Sequence, residues 1–177
     1  MKSTNFLTQE HKLILRALDV LDGISASIER SGAVNEKDVD KVLDFLRWFA
    51  DAHHQAKEES ILFPAMKTAA AAQNRPIAHM LVEHDQERLT IENLEKDLRL
   101  AKLSEFVADA NRLSSNLRNH IYKEDRILFE AADAVLSPQA DAEVFEGLKG
   151  FETALDERIL EEKLRDLRLM EQVYLRK

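Results

Sequence analysis

One ten-residue pattern stands twice in this chain. His54-x-x-Lys57-Glu58-Glu59-x-Ile61-Leu62-Phe63 and His120-x-x-Lys123-Glu124-Asp125-x-Ile127-Leu128-Phe129 share His, Lys, Glu, an acid and Ile-Leu-Phe in register. A shorter match precedes each copy: Glu10-His11 before the first and Glu83-His84 before the second. The sequence thus divides into two related halves, each with one lone histidine and one His-x-x-x-Glu. A fold that wraps both halves around an internal two-fold collects four imidazoles and two carboxylates, the donors that a pair of bridged metal ions needs.

The 177 residues suffice for one domain or slightly more, with a real core. Cysteine is absent, which excludes disulfides, thiolate nucleophiles and iron–sulfur clusters and fits a reducing, cytoplasmic location. No stretch approaches the roughly 20 apolar residues of a membrane span, and the N-terminus lacks the apolar run of a signal peptide. A net charge of −8 without a basic block argues against nucleic acid as a partner.

Apolar residues recur at steps of three and four, and with only four Gly and three Pro the chain is expected to be all-α. A first helix is expected from Thr4 or Asn5 to Glu29, stopping at Ser31-Gly32. Asn35 is the expected N-cap of a second helix, which Pro64 kinks. A third helix spans Ile77 to Ala101, and Ser104 caps a fourth that ends near Val135. Ser137-Pro138 starts a helical remainder, with Gly147 and Gly150 as an interruption. Short connections between long helices give an up-down-up-down four-helix bundle over residues 1–136, with a C-terminal helical extension over 137–177.

Residues four apart on a helix lie about 40° apart around its axis, so His54 faces with Glu58 and His120 with Glu124. Two such helices supply two terminal imidazoles and two bridging carboxylates, and His11 and His84 add one imidazole to each ion. Two glutamates bring two negative charges against the four or six positive charges of a ferrous or ferric pair. The excess calls for an oxide or hydroxide between two iron ions, with zinc or manganese as substitutes. Two turns beyond each histidine, Leu18, Ile61, Ile91 and Ile127 form an aliphatic layer on one side of the site. On the other side Leu7, Ala50, Met80 and Asn116 form a looser layer, through which a small ligand could pass.

These elements resemble the hemerythrin-like family of HHE cation-binding domains over roughly Asn5 to Asp133. The resemblance rests on Glu10-His11, His54-x-x-x-Glu58, Glu83-His84 and His120-x-x-x-Glu124 in that order. It implies a four-helix bundle around a non-heme di-iron centre, with His11, His54, Glu58, His84, His120 and Glu124 as metal ligands. The oxygen carriers of the family place a fifth histidine one turn from the third-helix ligand, where this chain has Met80 and Arg88. They also bridge through the acid five residues after the fourth-helix histidine, here Asp125. That step turns about 140° unless a π-bulge corrects it, which favours Glu124. The six-residue set is closer to the sensor and stress-response branches.

The remaining candidates have plainer expectations. His53 belongs to the rim or outer shell and His79 to the surface. Lys57, Lys123, Glu59 and Asp125 are placed on the solvated face, with an outer-shell role as the alternative. Glu10 and Glu83 either orient histidines or are exposed. Trp48, Phe49, Phe63 and Phe129 are core residues. The apolar stripe of the tail from Asp156 to Lys177 either packs along the bundle or forms a homodimer interface. Function is expected to involve a small ligand (oxygen, nitric oxide or peroxide) handled as sensor, scavenger or stress-response factor. A peroxide or nitric oxide reductase, and a bundle held by structural zinc or manganese, are the alternatives.

Overall fold

A computed structural model of the chain describes residues 1–152 and 157–175. Among them the chain is almost wholly helical, without a strand. Helix α1 is Lys2–Ser31, two residues longer at its end than expected, and Gly32 closes it in the left-handed region at φ 66°. The Gly32 N–H donates to the Ile28 carbonyl at 2.8 Å, using a carbonyl the helix end leaves free. Helix α2 covers residues 36–69 and is preceded by Asn35, whose extended backbone suits an N-cap. Its side chain bonds Asp38 rather than the backbone.

Helix α2 is not regular. It passes from Glu36–Phe45 into π-helical Leu46–Gln55, then π-helical Glu58–Leu62, and ends as Phe63–Ala69. Pro64 lies where the wide turn returns to α geometry, so its missing donor falls at a break already present in the ladder. A single turn at Ala71–Gln73 leads into α3, Asn74–Arg99. Helix α4 covers residues 103–135, again with a π-helical insert at Glu124–Leu128. Ser104 does not cap it, because the helix already starts at Leu103 with Lys102 in the cap position. Helix α5 is Pro138–Glu152 and α6 is Glu157–Tyr174. Ser137 caps α5 as expected, its hydroxyl accepting from the Ala140 N–H at 3.2 Å. Gly147 and Gly150 do not interrupt α5; at Gly147 a Cβ would come within 3.2 Å of Ile61, which is why the packing there takes glycine. Asp156, Arg176 and Lys177 of the C-terminal tail lie outside the described residues.

The bundle direction follows from side-chain pairs. Along α1 Thr4, Thr8 and Asp19 bond Asp133, Asp125 and Arg118 in turn, so α4 runs antiparallel to α1. Along α2 Arg47, Gln55 and Glu59 pair with Glu95, Glu87 and His84, so α3 runs antiparallel to α2. The apolar interior forms two separate clusters. The larger includes Ile14, Leu21, Leu43, Phe45, Phe49, Ile91, Phe106, Leu117 and Ile121; the smaller includes Leu7, Leu62, Phe63, Met80, Leu128 and Phe129. The gap between them is where the candidate site lies.

Helices α5 and α6 pack on the α1 side. Val144 and Leu148 of α5 join the smaller cluster, and Leu167 and Met170 of α6 join the larger. At Gly23 of α1 a side chain would meet Tyr174 Cβ at 2.8 Å, so glycine admits the end of α6. Asp141 of α5 serves the start of α1, accepting from the Ser3 hydroxyl and from the Lys2 and Ser3 N–H groups, both at 3.2 Å. These are donors that no residue of α1 itself satisfies.

Two outcomes follow. The α3–α4 turn closes with Lys102 N–H on the Asp97 carbonyl and Ala101 N–H on the Leu98 carbonyl, and it forces Ala101 to φ 53°. Ala101→Gly removes that strain and is expected to raise stability by about 1 kcal/mol, read as a higher urea midpoint. Burial acts to raise the Asp141 carboxyl, but the Ser3 hydroxyl and the two backbone donors outweigh it and hold the group below its ordinary value. A lowered folded-state pKa means the contribution is complete above the unfolded value near pH 3.9 and drains as pH falls through the lower one. Asp141→Ala is expected to cost about 1 kcal/mol at neutral pH. The gap to the unsubstituted chain closes below about pH 4, which acid titration of both melting temperatures checks.

Candidate metal centre

His11, His54, Glu58, His84, His120 and Glu124 come together between the two apolar clusters, all of them buried. They form two pairs of imidazoles with the carboxylates between. Glu58 turns Oε1 to His54 Nε2 at 3.6 Å and Oε2 to His84 Nε2 at 3.7 Å. Glu124 turns Oε2 to His11 Nε2 and Oε1 to His120 Nε2, both at 3.2 Å. Each carboxylate therefore offers one oxygen to each histidine pair. The rings of His11 and His54 meet at 4.6 Å and those of His84 and His120 at 4.8 Å, both at 64°. Ligand atoms of His11, His54, Glu58 and Glu124 lie within 4.8 Å of one another, and so do those of His84, His120 and Glu124.

Every ring is fixed from behind. His54 Nδ1 contacts Glu10 at 2.8 Å and His120 Nδ1 contacts Glu83 at 2.8 Å. His84 Nδ1 contacts Glu59 at 2.7 Å and His11 Nδ1 contacts Asp125 at 2.9 Å. All four acids are held below their ordinary pKa. The His84 bond takes Glu59 to about 2 and the His120 bond takes Glu83 to about 2. For Glu10 and Asp125 burial acts upward, but their histidine bonds outweigh it. An ionised carboxylate can only accept, so each Nδ1 carries the proton and each Nε2 turns inward as a potential ligand.

The internal two-fold extends outward. Glu10, one residue before His11, orients His54 of α2, and Glu83, one residue before His84, orients His120 of α4. Lys57 then pairs with Glu10 and Lys123 with Glu83. The expected solvated face for these residues is corrected here. Lys57 is fully buried, its ammonium 4.8 Å from the centre of the Phe6 ring, and Lys123 is largely covered. Glu59 and Asp125 are likewise half-buried acceptors rather than solvated charges, and Arg88 secures Glu59 at 2.6 Å. His53 is buried against Glu10 and Lys57, outside the inner set, while His79 is 64% exposed.

The expected regular helix is also corrected. Glu124 N–H still donates to His120 O, so the His120-to-Glu124 step is an α turn and the two face together. The wide turn begins at Glu124, with Phe129 N–H donating to Glu124 O; Phe63 N–H donates to Glu58 O in the same way. One extra residue per turn restores the fifth residue to the face of the first. Phe129 thus lies parallel to His11, with centroids at 5.5 Å, and Phe63 is stacked near His84 at 6.0 Å. The same shift turns Ile127 out to 61% exposure and leaves Ile61 half-exposed. The expected single aliphatic layer is corrected as well: neighbouring helices run in opposite directions, so Leu18 and Ile91 lie in the larger cluster while Leu62 and Leu128 lie in the smaller one, across the site. The expected looser layer divides in the same way, with Leu7 and Met80 in the smaller cluster, Ala50 in the larger, and Asn116 exposed.

The donor set fits a cation. Among the described residues both oxygens of Glu58 and Glu124 and the Nε2 atoms of His11 and His54 are buried outside any hydrogen bond. Ionised carboxylates in such a place cost several kcal/mol unless positive charge joins them. Burial, and then the charge of Glu124, drives the Glu58 carboxyl well above its usual range. Burial acts to lower His120, yet the charge of Glu124 and the hydrogen bond to Glu83 carry it to about 11. Burial likewise opposes His11, which Asp125 and Glu124 carry to about 9. Protons collect where metal charge would stand. Imidazole nitrogen with carboxylate oxygen suits iron, manganese or zinc.

Two buried polar residues beside the site, Gln55 and Glu87, escape the motif reading. Gln55 Nε2 donates to Glu87 Oε2 at 2.5 Å, and Glu87 Oε1 lies 4.0 Å from His120 Nδ1. The sequence does signal them: at the matching positions of the other half stand Ile121 and Ile14.

Inner and outer acids separate by substitution. Glu124→Ala is expected to abolish stable metal retention, because it removes an oxygen from both histidine groups. Asp125→Ala is expected to leave the saturating metal content unchanged and weaken affinity about 10- to 100-fold. Chelator competition with metal analysis measures both.

Comparison with known families agrees with this geometry. The model of the family described as hemerythrin HHE cation binding domain matches residues 2–132. A comparison with curated proteins finds no match. The chain belongs to the hemerythrin HHE cation-binding domain family.

Proposed function

We propose that the buried cluster holds two iron ions and that the protein handles a small ligand there (oxygen, nitric oxide or peroxide) as a sensor, scavenger or stress-response factor. In this reading His11 and His54 hold one ion, His84 and His120 the other, and Glu58 and Glu124 lie between them. The single observation that carries it is the division of each inner carboxylate, one oxygen toward each histidine pair.

A redox-active pair with positions left open supplies ligand binding and electron transfer when bound. The chain's own residues do the rest. Glu10, Glu59, Glu83 and Asp125 keep the Nε2 lone pairs inward and make the imidazoles stronger donors. Phe63 and Phe129 cover one side of the histidines and the larger cluster covers the other, limiting water. The donor set is neutral imidazole plus carboxylate without a thiolate, a combination that suits iron, with manganese or zinc as substitutes. No helix among the described residues is long and apolar enough to cross a membrane.

Protein purified from iron-replete cells is expected to carry close to two irons per chain and to show near-ultraviolet charge-transfer absorption in air. His54→Ala or His120→Ala is expected to lose most of that iron, whereas His79→Ala retains it. One zinc and no iron per chain from the same cells would sink the di-iron reading in favour of a structural site. Steady turnover of peroxide or nitric oxide by the loaded protein would make it an enzyme rather than a sensor.

A further inference from the structure

The two halves match in their inner donors but not beside them. In the first half the residue after His54 is Gln55, and the residue three beyond His84 in the second is Glu87. The matching positions, Ile121 after His120 and Ile14 three beyond His11, are apolar and buried in the larger cluster. Gln55 and Glu87 meet each other on one flank of the site; Ile14 and Ile121 belong to the sealed side.

Glu87 is 5% exposed, and its neighbours leave its charge poorly met. Glu83 has both Lys123 and His120, whereas Glu87 has the Gln55 amide and the His120 ring at 4.0 Å. Gln55 is 3% exposed, and its Oε1, at the same amide end that touches Glu87, takes part in no hydrogen bond among the described residues. Outside this pair lies a cavity of about 100 Å³ lined by Glu83, Gln86, Glu87, Thr90, Asn116 and Asn119, together with Leu113. It has room for a few waters. The exposed Asn116 is at its lining, and the two carboxylates of the lining are the ones that face His120 Nδ1.

The geometry points to this polar cleft as the route by which a hydrated divalent cation reaches the centre, with Glu87 and the Gln55 Oε1 as its transit ligands beside the His120 ring. The inference rests on the cluster being a metal centre. A cation arriving at the cleft exchanges waters for the Glu83 and Glu87 carboxylates and the amide oxygens of Asn116, Asn119 and Gln55, hard oxygen donors that suit a partly hydrated divalent ion. From Glu87 the ion passes the edge of the His120 ring, whose Nδ1–H stays on Glu83, to the inward Nε2 atoms. On the other flank the corresponding approach is shut, because Lys57, paired to the buried Glu10, lies beneath Phe6, and Ile14 and Ile121 offer no oxygen. Two carboxylates and four amide or hydroxyl side chains would be a poor lining for a route used only by an apolar diatomic gas.

The test is the rate at which metal-free protein takes up Co(II), followed anaerobically by its visible absorption, together with the final stoichiometry. The double variant Gln55→Ile/Glu87→Ile gives the open flank the residues of the sealed flank. Asn116→Leu narrows the cleft from its exposed side and keeps the test alive if the double variant does not fold. The expected result is two Co(II) per chain at saturation in both variants, with uptake at least tenfold slower than in the unsubstituted chain. Glu130→Gln, an exposed acid elsewhere on α4, leaves the rate unchanged. Uptake at the unsubstituted rate in Asn116→Leu and in any folded double variant would overturn the route. So would a stoichiometry reduced to one ion in the double variant, since Glu87 would then be a resident ligand. Failure of the unsubstituted chain to bind Co(II) at all marks the failure of the metal-centre reading itself, and the route falls with it.

Discussion

Two carboxylates completely removed from water in the middle of a helical bundle are the constraint that the rest of this structure answers. Glu58 and Glu124 are fully buried, and neither an α-helix nor an apolar core can accommodate an ionised carboxylate alone. The surroundings alternate in sign outward from them. Four imidazoles come first, then Glu10, Glu59, Glu83 and Asp125 behind the rings, then Lys57, Lys123 and Arg88 behind the acids. Each layer is tolerable because the next one compensates it. The arrangement leaves a deficit of positive charge at its centre, which in this protein is met either by protons on the imidazoles or by bound cations. Metal binding and folding are linked for the same reason.

The π-helical turns belong to this arrangement. A helix that presents His54 and Glu58 on one face would turn the residue five beyond Glu58 about 140° away. Widening the ladder at Glu58–Leu62 and at Glu124–Leu128 adds a residue to the turn and returns Phe63 and Phe129 to the site. The rings then lie against His84 and His11, which belong to the opposite halves of the repeat. Each half of the sequence thus supplies the aromatic cover for the other half's lone histidine. This is the physical content of the Ile-Leu-Phe shared by the two copies. The Leu and Phe are buried, and the Ile, placed one position out by the wide turn, is exposed in the second copy.

The four bundle helices and the six inner residues were legible because each rests on a local rule: a 3.6-residue period, Gly32 or Pro138 at a boundary, or His and Glu one turn apart. What stayed hidden needed the third dimension. Lys57 and Lys123 follow the pattern of a solvated face, and nothing local says that Glu10 and Glu83 on neighbouring helices neutralise them. Glu59 and Asp125 carry the same ambiguity, since their partners His84 and His11 are far along the chain. The wide turns are invisible to a fixed period, so Ile61 and Ile127 were expected to face inward where Leu62 and Leu128 do, and these lie across the site from Leu18 and Ile91. Ser104 has the chemistry of a cap, but the tight closure at Ala101 starts α4 one residue before it.

The inner symmetry is set in an asymmetric outer shell, and the C-terminal helices are the cause. Helices α5 and α6 lie on the α1 flank, with Phe145 edge-on to Phe6 and Arg16 paired to Glu171. Phe6 in turn covers Lys57, and Trp48 and Phe151 stand beside His53, so the Glu10 cluster is closed from solvent. The equivalent Glu83 cluster carries Asn119 where the first half has His53, and its flanking His79 is open to water. The six inner donors follow the repeat, whereas access to them does not. A duplicated motif can build a symmetric centre, but two equally buried flanks would leave its ligands without a path. Covering one flank and keeping the other polar reconciles a dry interior with exchange.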